Sequence, residues 1–524
     1  MAILKNSVIV AFWTGMSRIL GFARDLVIAN KLGAGMAADA FFVALMLPNL
    51  FRRLFAEGAF NVAFVPIVAR HKGKSDAAAM EFAHAVFSWL IVVVAGVTLV
   101  GVLAMPLLVG ILASGWLDQP EKFALAVELG RMTFPYLGLI TIASFLGAMC
   151  NTFGKFAAFA MVPALLNISI LVCLFTLPWA GAHPAEAAAM AVPLGGIAQA
   201  AYMLWAARRL GLRFRIAWLP KHADLKTLLL RMGPAAVGVG VLQLSLIVDN
   251  QVASYLQSGA VSYLQYANRF YQLPMALIGI AVATVLLPHL SVLLGKGDRA
   301  GAALSFTRAL SGCLTLAVGA TVGLLVLAPE LMQVTLRHGE FSDFAAQATA
   351  WAMMGYVIGL PAYIVSKVTA PAFFANEDPM SPVKAGGYAL LVNFVLNVLF
   401  VVLAMRYGYE NIAHVGIAVA TAIGGYVNAG LQWKWLKSKG VLVIDRGALW
   451  ADCVRMMGVG VVLAGVLLGM KVVVPYLPEA ALVVRMAWLG GVMAVGLVVF
   501  AVMVQGVGLL RWGDYLRKKG VQGV

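Results

Sequence analysis

Charge is scarce in this sequence. Only 11% of its 524 residues are Asp, Glu, Lys or Arg, while 62% are hydrophobic. Soluble domains carry about 25% charged and about 45–50% apolar residues, so a soluble globular chain is excluded. Acids are scarcer than bases, with 22 Asp and Glu against 38 Lys and Arg and a net charge of +16. Cysteine is limited to Cys150, Cys173, Cys313 and Cys453, with no C-x-x-C spacing, which argues against a disulfide or metal framework. His71, His84, His183, His222, His289, His338 and His414 are dispersed, mostly at loops or span ends, and read as interfacial rather than ligating. Walker, G-x-S-x-G and H-E-x-x-H motifs are missing. The chain is therefore expected not to be an enzyme, and any driven process must draw on a gradient, the membrane potential or downhill flux. No cleavable signal is expected, because Arg18, Arg24 and Asp25 follow the first apolar stretch without a small-residue cleavage site.

Long apolar runs are abundant, and the mean hydropathy is +0.92. About 14 segments are long enough to cross a bilayer as helices. They lie near 7–30, 38–68, 80–112, 123–150, 157–179, 186–209, 232–256, 262–292, 304–328, 345–372, 384–405, 412–435, 450–473 and 484–508. A β-barrel would show short alternating segments instead, so an all-α integral membrane protein is expected. Basic residues sort by side. The Arg208–Arg231 cluster, Arg70, Lys72, Lys74, Lys296, Arg299 and the Arg511–Lys519 group fall on one side. Lys31, Lys122, Arg337, Arg406, Lys471 and Arg485 fall on the other. The richer side is cytoplasmic, which puts both termini inside. Basic loops on one membrane face explain the net charge without nucleic acid as a partner.

Val65–Asp76 aligns without gaps to Leu287–Asp298, keeping Pro66, Gly73, Lys74 and Asp76 as Pro288, Gly295, Lys296 and Asp298. Pro135 and Asn167 match Pro361 and Asn393 at one shared offset. Spans 1–6 and 7–12 thus read as two six-helix lobes related by pseudo-two-fold symmetry, an arrangement that leaves a cleft for a substrate. The expected organisation is an N-lobe over 1–210, a cytoplasmic amphipathic linker over 211–231, a C-lobe over 232–440, and two further spans with a tail over 441–524.

The segment Pro48–Asn61 carries Arg52, Arg53 and Glu57 inside an apolar run. A charge near the bilayer centre costs about 2.5–3.5 kcal/mol on insertion scales, so such charges must be paired, wetted or needed. Arg18 and Asp25 share a face of the first span, Arg24 lies about 100° from Asp25, and Asp39 enters the second span. Arg269 is the eighth-span counterpart. These arginines outnumber Asp25, Asp39 and Glu57, and the guanidinium fork suits phosphate or carboxylate. The excess points to a cationic cavity and an anionic, phosphorylated substrate. Arg53 with Glu57 is the pair best read as an internal salt bridge. Asp39 is equally a gate or a helix-entry contact. Asp249 with Asn393, Asn397 and Thr421 offers oxygen ligands for a sodium ion or a proton, or else interhelical hydrogen bonds. No other cofactor is expected.

Ser17-Arg-Ile-Leu-Gly-Phe-Ala-Arg-Asp25, Asp39-Ala-Phe-Phe and Pro48-Asn-Leu-Phe-Arg-Arg-Leu-Phe-Ala-Glu-Gly-Ala-Phe60 closely resemble the MurJ (MviN) family of bacterial lipid II flippases. That family belongs to the multidrug/oligosaccharidyl-lipid/polysaccharide exporter superfamily, and the likeness covers essentially the whole chain. It implies two six-helix lobes around a central cationic cavity, with spans 13 and 14 forming a lipid-tail groove. It implies export of undecaprenyl-diphosphate-linked peptidoglycan precursor to the outer leaflet of the cytoplasmic (inner) membrane. Lipid II and membrane lipids are the implied partners, with cell-wall synthesis machinery as a further one and a monomer as the expected state. Positions Arg18, Arg24, Arg52, Arg269, Asp25, Asp39 and Glu57 match family residues important for function, and Asp249, Asn393 and Asn397 match a sodium site of some members. Asn268 and Gln272 beside Arg269, and Asn397, stand where some relatives carry acids. The competing readings are a drug/cation antiporter, an exporter of another polyprenyl-diphosphate-linked glycan, and a non-transporting scaffold for cell-wall enzymes.

Overall fold

The computed structural model describes residues 2–53, 60–155, 157–217, 220–441 and 446–509, and every regular element among them is helical. In chain order these are α1 (Ala2–Leu32), α2 (Met36–Phe51), α3 (Phe60–Lys72), α4 (Asp76–Leu103), α5 (Met105–Leu112), α6 (Pro120–Thr133) and α7 (Tyr136–Thr152). Then come α8 (Ala157–Ala160), α9 (Val162–Thr176), α10 (Pro184–Arg209), α11 (Ala223–Ala253), α12 (Ala260–Met275), α13 (Ala281–Gly295) and α14 (Arg299–Thr335). The last are α15 (Asp343–Ile358), α16 (Leu360–Ala375), α17 (Met380–Arg406), α18 (Ala413–Ser438), α19 (Arg446–Val473) and α20 (Leu482–Gly506). Among the described residues, 10 helices are long and apolar enough to cross a membrane, or 11 if the bent pair α15–α16 is one span.

Each predicted apolar run is helical in its described part, and proline marks where a run breaks. Pro361 sits in the first turn of α16, after a 42° bend from α15. Proline has no N–H to donate, so it is tolerated where a helix begins and disrupts one that would continue. Pro48 and Pro274 lie in the last turns of α2 and α12. Wide π-type turns follow both, at 52–53 and at Ala276–Ile280. The predicted span 38–68 is described as α2 and α3, and residues 54–59 between them lie outside the described residues.

Helix lengths recur along the chain. Helices α1 and α11 have 31 residues each, and α2 and α12 have 16 each. The break between α6 and α7 at Pro135 reappears between α15 and α16 near Pro361.

Contacts divide the chain into two compact units. The first comprises Met1–Ser262 with His338–Ser342, so α11 packs with the N-terminal helices, notably α3. Its core holds an aromatic cluster of Phe60, Phe64, Phe82, Phe87 and Phe145. The 338–342 turn returns to the end of α1, where Glu340 N donates to Asn30 O at 2.9 Å. Gly33 (φ +65°) and Gly339 (φ +59°) make that approach achievable, since a Cβ on either would collide with backbone oxygen. The second unit comprises Tyr263–Arg337 and Asp343–Val524. One of its cores joins α13, α14 and α16, and another joins α14, α19 and α20.

Only part of the expected linker helix over 211–231 is seen among the described residues, from Ala223 as the start of α11. Residues 212–217 have no regular structure, and helix resumes only at Ala223. Gly211 (φ +77°) ends the preceding turn. Helix α4 then supplies the partners that the linker backbone needs. His84 Nε2 contacts Arg213 O (2.8 Å), Trp89 Nε1 donates to Pro220 O (3.0 Å), and Ala217 N donates to Ser88 Oγ (3.0 Å). Phe214 packs against the stacked pair Phe87 and Phe145, 5.3 Å from each ring. Side chains of α4 thus bond the linker backbone where it forms no helix.

Candidate functional site

Asp39 opens α2 in a shielded niche of the first unit. Its side chain is fully buried and accepts four hydrogen bonds. Lys122 Nζ (2.8 Å) and Gly259 N (2.8 Å) reach Oδ2. Ser262 N (2.8 Å) and Ser262 Oγ (2.6 Å) reach Oδ1. Lys122, from α6, is also buried, with its ammonium 4.5 Å from the centre of the Trp116 ring. The arrangement fastens α2 to α6 and to the turn that enters α12. In this structure Asp39 is a helix-entry contact, with its carboxylate oxygens occupied. Lys122 is the residue that sequence reasoning missed, having been assigned to a loop with no partner.

Arg24 and Asp25 are neighbours on α1 and bond to each other. Arg24 Nη2 and Nε lie 2.6 and 3.0 Å from Asp25 Oδ1, and Nη1 donates to Asn167 Oδ1 at 2.9 Å. Asn167 Nδ2 donates to Ser17 O at 3.0 Å, so α9 is tied to α1 twice. Gly21 leaves room for this asparagine, because a Cβ there would already touch Asn167 Nδ2 at 3.4 Å. The expectation of Arg24 as part of an unpaired cationic surplus is thus corrected: three of its contacts are to buried protein groups. Although its Cα–Cβ bond points about 100° away from that of Asp25, the arginine side chain is long enough to fold back over the adjacent residue.

The other charged positions are more open. Arg18 is exposed on α1. Arg52, at the end of α2, is half-buried, and its Nε donates to Asn49 Oδ1 at 3.3 Å. Arg53 is exposed, and Nη1 donates to Gln243 Oε1 of α11 at 3.0 Å. Glu57, its expected partner, lies outside the described residues. Arg269 belongs to the second unit, half-buried on α12.

The residues of the expected oxygen cluster belong to both units. Asn397 Nδ2 donates to Asn393 Oδ1 (3.3 Å), Asn393 Nδ2 to Thr421 Oγ1 (3.1 Å), and Thr421 Oγ1 to Ile417 O (2.9 Å). This chain of bonds joins α17 to α18 in the second unit, as interhelical hydrogen bonding would. Asp249, buried on α11, belongs to the first unit.

Two further features emerge only in three dimensions. In the second unit, α14, α19 and α20 enclose a cavity of about 280 Å³, lined by Ile278, Leu316, Gly319, Gly323, Leu463, Leu467, Gly496 and Phe500 among others. Its walls are almost wholly apolar. In the first unit, Arg70 and His71 at the end of α3 meet Asp224 at the start of α11, with Arg70 Nη2 at 2.7 Å and His71 Nε2 at 2.8 Å from separate oxygens. Burial alone would raise the Asp224 carboxyl, but hydrogen bonds and charge from Arg70 and His71 prevail and hold it below the usual carboxylate range.

An all-helical membrane chain with charged side chains set into apolar helices and an apolar cleft among its last helices has the build of a polytopic membrane transporter. Residues 28–486 match the family model described as lipid II flippase MurJ. The chain is 36% identical over 474 residues to the probable lipid II flippase MurJ of Vibrio cholerae, covering 89% of both chains. It is 33% identical over 476 residues to the lipid II flippase MurJ of Burkholderia cenocepacia, covering 89% of this chain and 90% of that one. A solved lipid II flippase MurJ in an inward closed conformation shares the fold, with a TM-score of 0.77 at 23% identity over 95% of this chain and 98% of that one. An inward-facing multidrug transporter of the MATE family shares it more distantly, with a TM-score of 0.66 at 14% identity over 82% of this chain and 97% of the other. The chain belongs to the MurJ family of lipid II flippases.

Proposed function

We propose that this protein carries lipid II, the undecaprenyl-diphosphate-linked peptidoglycan precursor, from the inner to the outer leaflet of the bacterial cytoplasmic membrane. It acts as a transporter rather than an enzyme and serves cell-wall synthesis. The observation that carries this reading is the match to the lipid II flippase family over residues 28–486. The chemistry agrees with it. A diphosphate needs cations, and Arg18, Arg52 and Arg269 are not sealed into the protein as Asp39 and Lys122 are. The isoprenoid tail needs an apolar berth, and the cavity among α14, α19 and α20 has that character.

Finer points belong to the same proposal. The recurring helix lengths support two six-helix lobes within about 14 spans, with α19 and α20 added as the tail-binding pair. Basic loops support an orientation with both termini in the cytoplasm. Transport proceeds by alternating access, in which the arginines engage the diphosphate on one side and release it on the other. The protein works as a monomer beside the cell-wall synthesis machinery. Asp249, which is buried, is the one member of the oxygen cluster that can carry charge, so a sodium ion or proton resetting the cycle would act there. The test is depletion of the protein in its host with a leaflet-resolved lipid II assay, in which lipid II accumulates in the inner leaflet if the proposal holds.

A further inference from the structure

The cluster at the joint between α3 and α11 has a composition that a purely structural latch does not require. His71 ends α3, His222 caps the N-terminus of α11, and Asp224 follows two residues later. Each offers one ligand atom, and the three atoms lie within 4.8 Å of one another. The histidines come from distant parts of the sequence, which is why their spacing carries no motif.

The geometry points to a binding site for a divalent transition-metal ion of the zinc class, held by His71, His222 and Asp224. Two imidazole nitrogens and one carboxylate oxygen form the mixed set that zinc accepts, with a fourth position left for water. Calcium and magnesium prefer oxygen-only shells. The surroundings supply the support such ligands need. His71 is buried and stacks on Phe82 at 5.2 Å, while Phe82 lies 5.0 Å from the ring of His222. The imidazoles therefore have a common aromatic wall that restricts their rotation. Arg70 holds Asp224 Oδ1 at 2.7 Å and leaves Oδ2 directed at His71, an outer-shell contact of the kind that orients a ligating carboxylate. Entry of the ion replaces the 2.8 Å hydrogen bond between His71 Nε2 and Asp224 Oδ2. Both imidazoles bind as neutral ligands, and any proton they carry is released to water. The bound ion then fastens the end of α3 to the start of α11 within the first unit.

The test uses full-length protein in detergent, without a histidine tag, stripped with chelator and titrated with zinc chloride or cobalt chloride alone. One ion per chain is expected, with a rise in the thermal midpoint. His71→Gln keeps a donor toward Asp224, and His222→Asn keeps a good helix cap, so both should match the metal-free stability of the wild type. Each should lose more than about tenfold in affinity. X-ray absorption of the zinc-loaded wild type needs no variant and should show two imidazole nitrogens among the ligands. The inference is overturned if the wild type binds no zinc below about 1 mM, if both variants bind as the wild type does, or if the ion has an oxygen-only shell.

Discussion

Asp39 Oδ2 and Lys122 Nζ lie 2.8 Å apart, with side chains 0% and 2% exposed. Both ions are sealed from solvent, and Asp39 fills its remaining acceptor positions with Gly259 N and the N–H and hydroxyl of Ser262. A buried pair of this kind is destabilising to break from one side, because the remaining charge stays desolvated.

Lys122→Met should therefore lower stability by about 3–5 kcal/mol. Asp39→Asn combined with Lys122→Met should recover part of that loss, since no uncompensated charge remains. Thermal unfolding in detergent across the double-mutant cycle measures the coupling. Additive losses would mean that the two residues do not act as a pair.

Arg18 and Arg24 are separated by about 1.7 turns of α1 but should respond differently. Arg24→Ala removes both bonds to the buried Asp25 and the tie to Asn167, so stability should fall by about 3 kcal/mol. Arg18 is exposed, and Arg18→Ala should leave the thermal midpoint within a few degrees of wild type while lowering lipid II transport. Melting curves paired with a transport assay distinguish the two roles.

Acid should loosen two joints outside the spans. Hydrogen bonds from Lys439 and Ser381 hold the Asp378 carboxyl below its ordinary range against burial. At Asp224 burial pushes upward, but Arg70 and His71 overcome it. A carboxyl depressed in the folded state stabilises fully above its unfolded pKa of about 3.9 and ceases to do so as pH falls through the lower folded value. Stability should decline below about pH 4. Asp224→Asn and Asp378→Asn should each flatten that decline and weaken the protein at pH 7, as read by thermal midpoint against pH.

Within the apolar cavity, Gly323 has open space for an added side-chain carbon. A Cβ on Gly323 would meet nothing within 4 Å, whereas one on Gly319 would strike Phe500 at 2.6 Å. Gly323→Leu should raise stability by about 0.5–1 kcal/mol through helix propensity, yet slow transport by occupying the space proposed for the lipid tail. Unchanged transport would remove the cavity from the mechanism.

The helices were legible because apolar runs of this length have few alternatives, but the breaks at Pro135 and Pro361 were not, since the spans 123–150 and 345–372 were read as continuous through them. Pair chemistry was less legible. Lys122 and Asp39 are far apart in sequence, and no periodicity links a loop base to a helix-entry acid. Arg24 was judged by the direction of its Cα–Cβ bond, but a long flexible side chain reaches its neighbour's carboxylate. The linker composition suggested an amphipathic helix, while side chains of α4 hydrogen-bond the irregular backbone at Arg213, Ala217 and Pro220. His71 and His222 carry no spacing signal, since only the packing of α3 against α11 unites them.

The most direct measurement of the central claim is the leaflet distribution of lipid II during depletion and re-expression of this protein in its host. Depletion should trap lipid II in the inner leaflet. Wild-type protein should restore it to the outer leaflet, and an equally abundant Arg18→Ala or Arg269→Ala variant should do so poorly. A distribution unchanged by depletion, or full recovery with the arginine variants, would contradict the account.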